Sequence, residues 1–481
     1  MPTVNFTPVL PEIVLLCGAC AILVADLFVP DARRHASFWL TQVVLAVAAW
    51  VALATMPASP ATAFSGMVVD DMLSGTLKFM ACGSVSLMLF YSRGYCAVRG
   101  LFRGETFVLA LFALLGMMVM IAAGSFVTLY LGLELLALCL YAMVAMYRTS
   151  NAASEAAMKY FVLGALASGM LLYGMSMIYG ATGSLGVADV ASALASGTGN
   201  RTILLFGLVF VVSGVAFKLG VVPYHMWVPD VYDGAPTAVT LLIGTAPKLA
   251  AYAFMLRLLG VALGSLWFDW QGMLIVLSLL SMVLGNVVAI AQTNIKRMLA
   301  YSSIANMGFM LLGFLAANPT GYSAAMFYAV AYVLTSLASF GMVMLLSREG
   351  FEADRLEDFR GLNQRSPWWA FVMLLVMFSL AGVPPTVGFY AKFAVIQAAV
   401  DAGFVWLAVV AVMASLVGAF YYLRVVKLMY FDDATDTAPI AARGDNRALL
   451  SANGLALLVF GVLPQPLLGL CVVALAHSGL L

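Results

Sequence analysis

Charged residues are scarce in this chain. They make up 9% of its 481 residues, whereas soluble globular domains carry roughly 25%. Hydrophobic residues make up 64%, and the mean hydropathy is +1.04. This composition excludes an ordinary soluble domain and predicts a polytopic membrane protein. We therefore expect the lipid bilayer as one of its partners. The net charge of +1 offers no basic surface for nucleic acid, so we expect no nucleic-acid partner.

Cysteine and histidine are also few, with six and three residues. The only closely spaced cysteine pair is Cys17 and Cys20, in CGAC. An iron–sulfur cluster needs four ligands, so we expect these cysteines to be small buried hydrophobic residues. No nucleotide fingerprint and no flavin site is recognisable, and we expect neither a cofactor nor a metal in this chain. The N-terminus lacks a basic region, so we expect no cleavable signal peptide.

Long apolar runs are abundant. A helix that crosses about 30 Å of hydrocarbon needs roughly 20 apolar residues, and the sequence contains fourteen such runs. They cover residues 9–29, 38–56, 72–91, 105–123, 126–147, 157–180, 202–231, 239–261, 271–291, 298–316, 322–346, 368–401, 403–423 and 449–475. We therefore predict an all-α membrane protein with about fourteen transmembrane helices.

The positions of the basic residues support this number independently. If the connections alternate sides, one side receives sixteen of the 23 lysines and arginines, and the opposite side receives only Arg201. The remaining six fall inside or at the edges of runs. Such asymmetry is typical of the positive-inside rule. It predicts a multi-pass protein of a bacterial-type inner (cell) membrane with both termini on the outer, periplasmic side.

Ionisable residues inside the apolar runs are the strongest functional signal. Each costs about 2.5–3.5 kcal/mol on insertion scales, so such residues normally face a protein interior and often serve a function. Four stand out, namely Glu134, Lys218, Lys248 and Lys392, in runs five, seven, eight and twelve. The structural alternative for each is a static ion pair that fixes helix packing. A lysine whose acidic partner approaches or recedes would instead act as a proton switch.

Two of these runs contain helix breakers. Pro223 and Pro229 interrupt run seven, and Pro384 and Pro385, with neighbouring glycines, interrupt run twelve. Irregular backbone at membrane depth is tolerated only beside protein or a water-filled cavity, and paired broken helices are typical of inverted-repeat transporters. We therefore expect helices 1–3 in residues 1–103, an inverted five-helix repeat in 104–262 (helices 4–8), its second copy in 270–430 (helices 9–13), and helix 14 in 449–475.

Several further ionisable residues have weaker signals. His225 follows Pro223 and could relay protons or could stabilise the break, and these alternatives are equally open. Lys159 and Glu105 lie near the predicted inner boundary, where a solvated position is as plausible as a functional one. Asp230 and Asp233 could be plain capping or turn residues. Arg257 is expected to snorkel to the headgroups, and Lys78 and Asp71 share roughly one helical face.

Long motifs of the chain resemble one known family. PYHMWVPDVYDGAPTAV, LGLELLAL, AGVPPTVGFYAKF, NIKRMLAYSSIANMG and LEDFRGLNQRSP are similar to the antiporter-like membrane subunits of respiratory complex I, the proton-pumping NADH:quinone oxidoreductase. The resemblance runs from about residue 70 to 430 and is closest to the subunit N branch. Lys392 favours that branch, because the subunit M branch typically has glutamate there.

This resemblance implies a proton channel that is part of an enzyme complex but has no redox centre of its own. In the family, residues matching Glu134, Lys218, Lys248 and Lys392 form a polar axis through the middle of the membrane. Lys159 and Glu105 match further family positions. The resemblance also implies partner subunits, both membrane and peripheral, that hold flavin and iron–sulfur clusters and act on quinone, with antiporter-like subunits as immediate neighbours.

Two other functions remain open on the sequence alone. A subunit of a multi-subunit cation/proton antiporter would share the Glu/Lys axis but would have no redox partners. A structural membrane scaffold that has lost transport would predict that neutralising the four central charges affects assembly at most.

Overall fold

The structure is a computed structural model that describes residues 5–30, 33–197, 199–434, 436, 438–440 and 443–479. Its first eight helices are α1 Leu10–Asp26, α2 His35–Ala54, α3 Met72–Val98, α4 Gly104–Ile121, α5 Phe126–Val144, α6 Asn151–Thr182, α7 Val187–Ala195 and α8 Arg201–Leu219. One antiparallel hairpin, β1 Ala61–Ala63 and β2 Val68–Asp70, precedes α3.

Twelve further helices follow in the described part of the chain. They are α9 Trp227–Gly234, α10 Thr237–Gly244, α11 Ala246–Met255, α12 Trp267–Ile290, α13 Ile295–Leu315, α14 Pro319–Leu346, α15 Leu362–Arg365, α16 Pro367–Ala381, α17 Val387–Asp401, α18 Val405–Phe431, α19 Gly444–Val462 and α20 Gln465–Ala476. A π-helical segment, Leu256–Ala262, extends α11.

The all-α polytopic fold expected from the sequence is confirmed. Within the described ranges, twelve continuous helical segments are long and apolar enough to cross a membrane. The span Thr237–Ala262 is entirely buried, and α13 and α14 are almost entirely so, whereas less than half of the apolar stretch of α1, α6 and α18 is buried. The buried spans form the centre of the molecule, and the exposed helices form its rim.

Close backbone contact holds neighbouring helices together. A Cβ atom added to Gly116 of α4 would lie 2.6 Å from the backbone nitrogen of Leu136 in α5. One added to Gly132 of α5 would lie 2.7 Å from the backbone nitrogen of Met120. Only glycine permits this approach, which is how packing of small residues replaces the hydrophobic effect inside a bilayer.

The two expected helix breaks are present. α8 ends at Leu219 because Gly220 adopts φ 76°, and α16 ends at Ala381 because Gly382 adopts φ 82°. Both glycines lie in the left-handed region that closes helix C-termini. Each donates its N–H to the carbonyl four residues earlier, at 3.0 Å in Gly220 and 2.9 Å in Gly382.

Three predicted runs need correction. The seventh, expected over 202–231, stops at Leu219, and Pro229 lies in the first turn of α9, where it starts a helix instead of breaking one. The twelfth, expected over 368–401, consists of two 15-residue helices, α16 and α17. The fourteenth, expected over 449–475, bends by 80° between α19 and α20. Pro464 and Pro466 lie at this bend, and proline cannot donate the N–H that a continuous helix requires.

The expectation for the cysteine pair is wrong. Cys17 and Cys20 are both free and exposed, whereas the other four cysteines are free and buried. Because α1 lies at the rim, its apolar side chains can face the bilayer without packing against protein.

Candidate functional site

Glu134 and Lys218 lie near each other where α5 passes the end of α8. Lys218 is the second-last residue of α8 and interacts electrostatically with Glu134. The structure records no ion pair between them, and Glu134 Oε1 is buried without a hydrogen-bond partner among the described residues. Lys218, Tyr141 and Ser168 line a cavity of about 20 Å³. This volume is sufficient for one water molecule.

Lys248 reaches the same helix end from α11. Its Nζ donates a hydrogen bond to the carbonyl oxygen of Leu219 at 2.9 Å, and the residue is 2% exposed. Leu219 directly follows Lys218, so two lysines converge on the C-terminus of α8. The carbonyls of a helix end carry partial negative charge, which favours a cation there.

Lys392 has the equivalent position at the second break. Its Nζ donates to the carbonyl oxygens of Leu380 at 2.9 Å and Ala381 at 3.0 Å, at the end of α16. It also donates to Ser415 Oγ of α18 at 3.0 Å. The ammonium lies 4.9 Å from the centre of the Phe309 ring. No carboxylate contributes to this coordination, so the static ion pair considered from the sequence is not what the structure shows here.

Hydroxyl and amide groups surround Lys392, and sequence reasoning missed them. A cavity of about 10 Å³ is lined by Lys392, Asn306, Tyr328, Thr335 and Ser379. The Tyr328 hydroxyl donates to Asn306 Oδ1 at 2.7 Å, and the hydroxyls of Thr335 and Ser379 are 3.0 Å apart. The polar residues of SSIAN (302–306) inside an apolar run were the signal that could have revealed them.

The other ionisable residues singled out in the sequence lie away from the ends of α8 and α16. Lys159 pairs with Asp230 at 2.7 Å and with Glu155 at 2.8 Å. Arg297 of α13 also pairs with Asp230, at 3.0 Å. Asp230 is therefore an ion-pair partner of two cations and not merely a capping residue. Its pKa is low: burial opposes ionisation, but hydrogen bonds from Lys159 and Arg297 prevail.

His225 and Glu105 occupy two further environments. His225 lies in the connection between α8 and α9, half-buried, with its Nδ1 shielded and without a partner among the described residues. Glu105 is exposed in the first turn of α4. The structure thus brings Glu134, Lys218 and Lys248 together, places Lys392 at the second break, and separates Lys159 and Glu105 from both.

The expectation for Arg257 is wrong. Arg257 does not snorkel, because it is 1% exposed, pairs with the fully buried Asp71 at 2.9 Å, and donates from Nε to the carbonyl of Ile121 at 2.6 Å. Lys78, which lies on roughly the same helical face as Asp71, pairs with Glu12 of α1 at 2.7 Å. The Asp71–Arg257 pair ties the start of α3 to the segment after α11, and the Lys78–Glu12 pair ties α3 to α1. Within the described ranges, no three histidine, cysteine or acidic side chains are grouped as a metal site.

Comparisons with known proteins place the chain in a family. A family model described as NADH:quinone oxidoreductase/Mrp antiporter, TM, matches residues 123–418. NADH-quinone oxidoreductase subunit N of Thiobacillus denitrificans is 61% identical over 474 residues, which cover 98% of each chain. The chain belongs to the NADH-quinone oxidoreductase subunit N family.

Solved structures agree with this membership. A chain of respiratory complex I from Thermus thermophilus matches with a TM-score of 0.82 at 32% identity, over 96% of this chain and 99% of that one. A chain of the Mrp complex from Dietzia sp. matches with a TM-score of 0.84 at 23% identity, over 99% and 97%, a likeness in fold alone. In this subunit N family member, Glu134, Lys218, Lys248 and Lys392 all lie inside the matched range, and Glu105 lies before it.

Proposed function

We propose that this chain is the proton-translocating membrane subunit of an NADH:quinone oxidoreductase, with Glu134, Lys218, Lys248 and Lys392 as the groups that carry or control protons. The observation that supports it is the coordination of the lysines. Lys248 and Lys392 are held by backbone carbonyls at the ends of broken helices, and no carboxylate neutralises either of them permanently. A lysine in such a position can lose and regain its proton without breaking an ion pair.

The two breaks support a repeat architecture. We propose that residues 104–262 and 270–430 are inverted five-helix repeats, preceded by helices 1–3 in residues 1–103 and followed by helix 14. Gly220 and Gly382 end α8 and α16 with the same backbone conformation, and each helix end accepts a lysine hydrogen bond. Lys218 has no lysine counterpart before Gly382, where Leu380 stands. The first repeat thus has two lysines at its break and the second has one.

Translocation follows from changes in the distance between Glu134 and Lys218. When the carboxylate approaches, it favours the protonated lysine, and when it recedes, the proton is released toward Lys248 and then Lys392. Moving one charge against 100 mV costs about 2.3 kcal/mol. One pKa unit is worth about 1.36 kcal/mol, so a change of a few units supplies the energy. His225, Lys159 and Glu105 are proposed as auxiliary groups on the predicted inner side.

The proposal assigns the redox chemistry to other chains. Membrane and peripheral partner subunits would hold flavin and iron–sulfur clusters and would reduce quinone, and neighbouring antiporter-like subunits would continue the proton axis. This chain would contribute no redox centre. It would lie in a bacterial inner membrane with both termini on the outer side, residues 1–4 and 480–481 being outside the described part of the chain.

The test is Lys218→Ala in the assembled complex, reconstituted into liposomes. Protons translocated per NADH oxidised should fall, because the first acceptor of the axis is removed. Lys427→Ala is the matched control, since Lys427 is 68% exposed and pairs only weakly, at 3.6 Å, with Asp432. Wild-type stoichiometry and turnover in Lys218→Ala would rule the mechanism out. Purification with flavin and iron–sulfur signals supports the oxidoreductase, whereas a cluster-free assembly supports a cation/proton antiporter.

A further inference from the structure

A basic pocket lies where the end of α3, the start of α4 and the end of α5 meet. It has a volume of about 360 Å³, and its lining includes Arg99, Arg103, Arg148, Glu105 and Tyr147. We refer to these five residues as the arginine pocket. The connections that form it are on the side that holds most of the basic residues. The four groups of the proposed proton axis, from Glu134 to Lys392, do not line it, and of the auxiliary groups only Glu105 does.

Arg99 forms the rigid wall of the arginine pocket. Its Nη2 donates to Glu352 at 2.6 Å and to the carbonyl oxygen of Phe351 at 3.1 Å. Its guanidinium lies 3.9 Å from the centre of the Tyr95 ring. The other nitrogen, Nη1, is shielded from solvent and has no hydrogen-bond partner among the described residues. A shielded N–H donor without an acceptor is costly, and a ligand oxygen in the pocket would satisfy it after a small shift of the Arg99 side chain toward the pocket.

The other two arginines are free to bind an anion. Arg103 and Arg148 are exposed, and neither forms an ion pair with any residue that the structure describes. Glu105 contributes the single negative charge of the lining, which leaves a formal charge of +2. Guanidinium groups present paired N–H donors that match the oxygens of phosphates and carboxylates. Three of them around one recess suit a phosphate, which offers more acceptor oxygens than a carboxylate does.

The surroundings of the arginine pocket are apolar. Val98, at the end of α3, is 48% exposed, and Leu138, about two turns before the end of α5, is 55% exposed. Both helices therefore carry exposed hydrophobic side chains within about two turns of the ends that form the pocket. A free phosphate ion would make no use of this surface, whereas the acyl chains of a phospholipid would cover it.

We propose that the arginine pocket binds the headgroup phosphate of an anionic phospholipid, with the acyl chains along the exposed surface of α3 and α5. Basic recesses between helix ends on the positive side of a membrane protein are suited to this ligand, because that leaflet is anionic. The lipid would fix the end of α5 against the start of α4. Since α5 also carries Glu134, the ligand would hold one element of the proposed axis in place.

The test uses photoactivatable phosphatidylglycerol and phosphatidylcholine on the full-length chain, purified in its native assembly. Cross-linked peptides are mapped by mass spectrometry. We expect phosphatidylglycerol to label peptides that contain residues 99–105 or 145–149. In the double variant Arg103→Gln/Arg148→Gln, this labelling should fall on the order of tenfold or more. The matched control is Arg443→Gln/Arg447→Gln, which removes two arginines of another connection on the same predicted side and should leave the labelling unchanged.

The outcomes separate the possible occupants. Loss of labelling in the pocket variant, retention in Arg103→Lys/Arg148→Lys, and no competition by millimolar inorganic phosphate support the lipid. Equal labelling by both lipids overturns it, as does unchanged labelling in the pocket variant. Displacement by inorganic phosphate would indicate a free-anion site, and absent labelling in wild type would indicate a surface covered by a neighbouring subunit. Either result overturns the proposal, and intact assembly on native gels excludes misfolding.

Discussion

The ammonium of Lys248 lies 2.9 Å from the carbonyl oxygen of Leu219, the last residue of α8. The next residue, Gly220, adopts the left-handed conformation that ends this helix. Lys392 and Ala381 repeat this relationship at the second break, at 3.0 Å. In both cases, glycine stops the helix and leaves carbonyls without their usual N–H partners. A lysine from a different helix then supplies the missing donor, which explains why the broken helices and the buried lysines occur together.

Replacing Lys248 or Lys392 by arginine separates two roles of the side chain. Arginine keeps the positive charge and the donors for the helix-end carbonyls, but it does not deprotonate in proteins. If the lysines are only caps, Lys248→Arg and Lys392→Arg should be active. We expect instead that protons translocated per NADH fall in both variants, with amounts of assembled complex near wild type. The measurement is acidification by proteoliposomes alongside NADH oxidation.

Lys427→Arg is the control for this pair, because Lys427 is exposed and outside both breaks. It should pump as wild type does. Normal pumping by Lys248→Arg and Lys392→Arg would show that neither lysine has to release a proton.

Gly382→Ala should reduce proton translocation by more than the strain of an alanine in the left-handed conformation alone would explain. Gly382 has φ 82°, which costs an alanine about 1–2 kcal/mol, and the added Cβ would lie 2.8 Å from Cδ of Lys392. The lysine must therefore move away from the carbonyls that hold it. Gly403 is a matched control, since it has φ 88° and no atom within 4 Å of the added Cβ. Both variants should lose similar backbone stability, but only Gly382→Ala should lose proton translocation. Equal losses would contradict this account.

The features that the sequence predicted correctly depend mostly on residues close together in the chain. Glycine and proline change the backbone conformation only within a few residues. The helix breaks near Gly220 and Gly382 could therefore be predicted from the sequence. The four intramembrane ionisable residues were also visible, because a charge in an apolar run needs no partner to be noticed. Their environment was not predictable, since the carbonyls that hold Lys392 and the Tyr328 hydroxyl beside it come from separate helices.

The errors have the same origin. Arg257 lies near the end of an apolar run, and its side chain was therefore expected to extend to the lipid headgroups. Its actual partner, Asp71, lies 186 residues earlier in the chain. The bend at Pro464 and Pro466 was not predicted, because the apolar run around them is long enough to suggest one straight helix. Pairing between distant segments is therefore the information that a single sequence withholds.

Removing one partner of the buried Asp71–Arg257 pair should be strongly destabilising. Asp71→Asn leaves an unpaired guanidinium inside the protein, and breaking a buried pair in this way costs about 3–5 kcal/mol. The substitution preserves the N-cap of α3, because asparagine can also accept the hydrogen bond from the Ser74 backbone. We expect a lower thermal stability and less assembled complex.

The double variant Asp71→Asn/Arg257→Met should recover part of this loss, because no unpaired charge remains. Arg201→Ala serves as the surface control: its pair with Asp269 is 72% exposed on the arginine side and should contribute less than about 1 kcal/mol. If Asp71→Asn were no more damaging than Arg201→Ala, the pair would not connect helices 1–3 to the core as described.

Asp70 should make the stability of the protein depend on pH. Burial raises its pKa to about 6 from 3.8, against an opposing effect of Lys78 and with a smaller raising effect of Glu12. The folded state therefore binds this proton more tightly than the unfolded state. Its ionisation opposes folding at high pH, and the cost disappears as pH falls through about 6 toward 3.8. Asp70→Asn removes the titration and should raise the free energy of unfolding at pH 8 by on the order of 1 kcal/mol after solvent screening. The measurement is the apparent melting temperature, which should be higher than that of wild type at this pH. The gain should shrink at pH 5.

Asp189→Asn, at an exposed acid of α7, should give no such pH-dependent difference. A gain that is equal at pH 5 and pH 8 would show that Asp70 is ionised throughout and that its burial does not govern the titration.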